Sequence, residues 1–133
     1  MVLAGALAGI SAAPASSVWD GVYTADQANR GSALYQQQCA SCHGKDLEGG
    51  GQTPPLTGDG FKSNWNGQPL GDLFERMSST MPADEPGKLS GDQNAEILAW
   101  MLKQNGFPAG STPMKGDGGS LKQIRFDSAK PKK

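Results

Sequence analysis

The sequence predicts an all-α domain of three or four short helices joined by long loops. Two helix-start signals, one run at helical spacing, and 19 glycines with 9 prolines among 133 residues lead to that expectation. Thr24-Ala25-Asp26-Gln27 fits a capping box and opens a helix running towards Cys39. Leu70, Leu73, Phe74 and Met77 fall at i, i+3, i+4 and i+7, one face of a short helix that should be ending at Ser78-Ser79-Thr80. Ser90-Gly91-Asp92-Gln93 fits a second capping box and opens a helix through Ile97, Leu98, Trp100 and Met101. That helix should end around Asn105-Gly106, with Pro108 as a stop. Gly31 and Tyr35 share a face of the first helix, and Ile97 and Trp100 share one on the last. A glycine at such a face lets another helix approach closely.

Apolar residues are 36% of the chain, and the first dozen positions hold many of them. The core left over is thin, and a large buried cofactor could staple it. The formal net charge of −1 argues against nucleic acid as a partner. From Ser16 to Met114 six basic residues stand against eleven acidic ones, whereas from Lys115 to Lys133 six basic residues stand against two acidic. An acidic body thus carries a basic tail. A solvated end is the first expectation for it, and a docking arm for an acidic partner or membrane is the second. Val2 to Ile10 is a short apolar run followed by Ala13-Pro14-Ala15, the pattern of a secretory leader cleaved before Ser16. Spanning a bilayer takes roughly 20 apolar residues, so any membrane contact is at most peripheral. The expected organisation is a leader remnant over 1–15, a domain over 16–110, and a basic Gly/Ser/Lys-rich extension over 111–133.

Cys39 and Cys42 are the only cysteines and His43 is the only histidine. They read Cys39-Ala40-Ser41-Cys42-His43, the C-x-x-C-H signature of c-type haem attachment. Two thiols three positions apart can each add to one vinyl group of the same porphyrin, and the imidazole next in sequence then sits under the iron. A redox disulfide usually follows a strand at the start of a helix, and no strand pattern precedes Cys39. A structural zinc site wants about four Cys or His ligands, and three adjacent ones are present. With His43 used, a second histidine ligand is impossible within one chain.

The methionines therefore compete for the distal position. Met77 and Met101 fall within helical patterns and read as core, and nothing local would hold Met114 against an iron. Met81 follows the end of a helix and precedes Pro82, which pushes it into extended geometry. It should sit on an irregular loop, free to project its sulfur across the porphyrin. A thioether is a soft, neutral ligand that favours reduced iron.

The order of these features resembles a class I, monohaem cytochrome c over roughly residues 24 to 107. It comprises a helix with Gly31 and Tyr35, the haem motif, Pro54-Pro55-Leu56, Trp65, Met81-Pro82, and a last helix with Ile97-Leu98-Ala99-Trp100. The stretches Thr80-Met81-Pro82, Pro86-Gly87-Lys88-Leu89-Ser90 and Asn105-Gly106-Phe107-Pro108-Ala109-Gly110 resemble the small bacterial haem domains associated with quinoprotein dehydrogenases. The resemblance implies one covalently attached haem c, with the class I cytochrome c fold wrapped around it. It implies iron ligands His43 and Met81, and a proline carbonyl that accepts from the free imidazole N–H: Pro55, or failing that Pro54. Leu56 would pack on the haem face, and the Trp65 indole would donate to a haem propionate.

The function so implied is outer-sphere electron transfer by a soluble, periplasmic, monomeric carrier rather than an enzyme. Its partners would be redox proteins: a periplasmic dehydrogenase, such as a quinoprotein dehydrogenase, as donor, and an oxidase or another cytochrome as acceptor. The alternative is a permanent haem subunit of a dehydrogenase or oxidase complex.

Overall fold

The computed structural model describes residues 16–132, and the leader expected over 1–15 lies outside the described residues. Six α-helices and one two-stranded pairing appear among the described residues: β1 (Ser16–Ser17), α1 (Ala25–Gln38), α2 (Ala40–His43), α3 (Asp59–Trp65), α4 (Leu70–Thr80), α5 (Gly91–Gln104), α6 (Gly118–Leu121) and β2 (Ile124–Arg125). A 3₁₀ turn over Val18–Asp20 links β1 to the helices.

The predicted caps are present, one complete and one half complete. At α5 the Ser90 hydroxyl accepts from Gln93 N (3.1 Å), and the Gln93 side chain accepts from Ser90 N (2.9 Å). At α1 the Thr24 hydroxyl accepts from Gln27 N, but Gln27 does not reach back. Its side chain is committed elsewhere, as described below. α4 runs to Thr80 and buries Leu70, Leu73 and Phe74. Met77 is half buried against the same core, in keeping with its spacing.

α1 and α5 cross at Gly31, where a Cβ would collide with the Glu96 backbone carbonyl. Only glycine permits that approach. Beside the crossing, Arg30 Nε meets Glu96 Oε2 at 2.8 Å, an exposed pair worth at most about 1 kcal/mol. Burial of Ala28, Tyr35, Ile97, Leu98 and Leu102 holds the two helices together.

The expectation of a solvated tail is corrected by the structure. The Gln27 side chain donates to Met114 O and accepts from Met114 N, both at 2.8 Å, which fastens the chain to α1 just beyond Pro113. Met114, Leu121 and Phe126 are all buried. Phe126 closes an edge-to-face row of rings that runs from Trp19 through Phe107 (4.9 Å) to Phe126 (5.2 Å) and on to Phe61 (6.0 Å). Lys122 reaches Glu75 at 3.2 Å and Asp72 at 3.9 Å, so part of the tail's positive charge is turned back onto α4. β2 then pairs in parallel with β1, Ser16 opposite Ile124. The segment after residue 110 completes the core that α1, α4 and α5 begin.

Among the described residues no helix is long and apolar enough to cross a membrane.

Candidate functional site

Cys39 is the hinge between α1 and α2. Its own N–H closes α1 by donating to Tyr35 O (2.8 Å), and its carbonyl accepts from Cys42 N and His43 N at 3.2 and 2.9 Å. Cys39, Cys42 and His43 therefore share one tight turn, with Cys39 half buried and Cys42 exposed, both as free thiols. The Tyr35 hydroxyl, on the buried face of α1, donates to Gly44 O at 2.6 Å and ties the far end of that turn to the helix. Burial pushes the Cys39 thiol up to about 11, with the nearby Cys42 adding to the shift. The group therefore stays a thiol at neutral pH.

His43 is half buried. Burial lowers its pKa below the usual imidazole value, and the Pro54 carbonyl acts in the opposite direction. A lowered pKa means a larger neutral fraction at neutral pH, the form that binds a metal. Nδ1 is nonetheless one of two buried side-chain polar atoms with no hydrogen-bond partner among the described residues; the other is Trp100 Nε1, on the half-buried ring beside Lys103.

The loop from Gly44 to Gly58 folds back over His43. Gly49 N donates to His43 O at 2.6 Å, and a Cβ on Gly49 would strike the backbone of Thr53 and Pro54. Leu47 is fully buried with φ +62, a left-handed conformation that costs a branched residue roughly 1–2 kcal/mol. Its carbonyl accepts from Leu56 N at 2.8 Å. Both prolines the sequence offers are exposed, and of the two it is the Pro54 carbonyl that acts on the imidazole. Leu56 packs half buried against the main core.

Met81 caps α4 in extended geometry, φ −122 and ψ 151, as expected of a residue before proline. At 37% exposure it is the one exposed large apolar side chain among the described residues, while Met101 and Met114 are buried. Met81 and the half-buried Trp65 border one open groove of about 500 Å³, together with Asp72, Arg76 and Thr80 of α4. The structure thus brings Trp65 and Met81 together along one groove, and sets Cys39, Cys42 and His43 on one turn beside the loop that carries Pro54.

Sequence reasoning missed Asn105. It was read as a helix end, but its buried side chain donates to Leu56 O (3.0 Å) and Met101 O (2.8 Å) and accepts from Gly58 N (3.2 Å). Its position in Asn105-Gly106 signalled a cap and nothing more.

The donor set fits a c-type haem: two free thiols and a neutral imidazole on one turn, with a thioether on an extended loop. Among the described residues no three His, Cys, Asp or Glu side chains converge as a cage for a bare metal ion.

The family model described as "Cytochrome C oxidase, cbb3-type, subunit III" matches residues 26–101. No curated protein matches the chain. Among solved structures, the sulfane dehydrogenase SoxCD from Paracoccus pantotrophus is similar in fold, with a TM-score of 0.57 and 23% identity. The match covers 81% of this chain and 61% of that one, so the chain spans about three fifths of its structural neighbour.

Proposed function

Because the chain belongs to the family of the cytochrome c oxidase, cbb3-type, subunit III, which implies haem c and electron transfer, we propose that it is a monohaem carrier of single electrons outside the cytoplasm. The supporting observation is the single turn that presents Cys39, Cys42 and a neutral His43. When bound, haem c supplies an iron that changes oxidation state by one electron.

The chain's own residues do the rest. The Cys39 and Cys42 thiols form the covalent tether. His43 would supply a nitrogen ligand to the iron, and the Pro54 carbonyl would orient its ring through Nδ1. Met81 supplies a neutral thioether that favours the reduced state. Leu56 would cover the haem face against water, and the Trp65 indole N–H would be a donor for a haem carboxylate. With His43 and Met81 both holding the iron, no position would be left for a substrate, and the chain would act as a carrier rather than an enzyme. Docking is weak and transient, through a small interface. The acidic body favours partners with basic patches at low salt. A periplasmic dehydrogenase, such as a quinoprotein dehydrogenase, is the proposed donor, and an oxidase or another cytochrome the acceptor.

Optical spectroscopy tests the ligand assignment. The oxidised holoprotein should show the weak far-red band of methionine–iron coordination, and Met81→Ala should abolish it without releasing the haem. A band that survives the substitution assigns the ligand to another residue.

A second reading is favoured by the family's own description as an oxidase subunit: a permanent place in a larger complex. Sizing chromatography of native extract separates the two. A free shuttle elutes as a small monomer, whereas a subunit elutes with its complex.

A further inference from the structure

We infer that Asn105 is a positioning residue for His43, setting how the Pro54 carbonyl faces the imidazole by anchoring the loop from Leu56 to Gly58 to the end of α5. This rests on the haem reading above and adds a residue to it.

The Asn105 side chain is buried, and all three of its hydrogen bonds are to backbone. One fixes it to its own helix at Met101 O, and the other two grip Leu56 O and Gly58 N. Leu56 is held from the other side as well, since its N–H donates to Leu47 O. Pro54 lies two residues upstream of Leu56 and packs its backbone against Gly49, whose N–H donates to His43 O. Pro54 has no N–H and Pro55 has none, so neither can fasten this stretch by donating. Among the described residues, Asn105 is the side chain that ties Leu56 and Gly58 to α5. The Nδ1 atom of His43 is buried without a hydrogen-bond partner, and the Pro54 carbonyl acts on the imidazole from this loop, so how closely the two approach depends on where the loop lies. A hydrogen bond from a ligand histidine to a carbonyl fixes the ring and strengthens the nitrogen as a donor to the metal.

The test uses the holoprotein. Asn105→Ala should let the loop drift, so that the His43 ring N–H exchanges with solvent about tenfold faster by NMR. It should also shift the ratio of reduced to oxidised protein towards reduced at fixed solution potential, because a weaker nitrogen donor supports ferric iron less well. The shift should be about tenfold at most, and tenfold is about 59 mV for one electron. Gln27→Ala is the control. It breaks two buried hydrogen bonds to Met114, far from this loop, and should lower the melting temperature while changing neither readout. If Asn105→Ala does not accumulate, the near-isosteric Asn105→Asp keeps the acceptor for Gly58 N, loses both donations, and carries the same test. Wild-type ring-proton exchange and potential in the Asn105 variant, whatever its stability, overturn the inference. A wild-type protein that carries no haem overturns the functional reading instead.

Discussion

Replacing Cys39 and Cys42 together by serine should give a chain without covalent haem and with little folded protein. The two thiols sit on one turn between α1 and α2, so both anchors are lost from the same point in the fold. Partly buried side chains of Cys39, Leu56, Trp65 and Met77 border the main core and depend on what covers them. A domain this rich in loops gains stability from a bound cofactor by mass action, and loses that gain when binding fails. Haem staining after denaturing electrophoresis reads the attachment, and circular dichroism reads the fold. A double variant whose haem survives acid-acetone extraction would remove the tether from these residues.

Deleting residues 111–133 should be nearly as damaging. A solvated end could be removed at almost no cost. Here the deletion strips Met114, Leu121 and Phe126 from the core, each contributing about 1.5–3 kcal/mol. It also leaves Gln27 buried without the Met114 partners it now has. The combined loss, about 5–9 kcal/mol, is comparable to the whole stability of an ordinary domain. The truncated holoprotein should melt more than about 20 °C below the full chain, or fail to accumulate. A fall of only a few degrees would mean that the tail's packing adds little.

Three long helices and the haem motif were legible because their signals are local. Capping residues at Thr24 and Ser90 and the spacing from Leu70 to Met77 act within a turn or two. The short helix α3 escaped notice because Gly58 at its N-cap provides no side-chain cap and Gly60 sits inside it. The tail misled because Met114, Leu121 and Phe126 follow no helical or strand period amid glycine and lysine. Their burial is decided by Gln27, Trp19 and Phe107, which lie far away in sequence. The choice between Pro54 and Pro55 was likewise invisible. Successive carbonyls of an extended chain point in opposite directions, so adjacent identical residues differ only by register. The place of Met81 was readable because proline restricts its neighbour directly.

The pairing of Ser16 with Ile124 spans 108 positions, as does the bond from the Trp19 indole to Asp127 O. The strand at Ser16–Ser17 therefore has no partner until residues 124 and 125 exist. Contacts between such distant positions form slowly, after the intervening chain has been brought into order. Until Ile124 and Asp127 are in place, the stretch from Ser16 to Trp19 has neither its strand partner nor its indole acceptor.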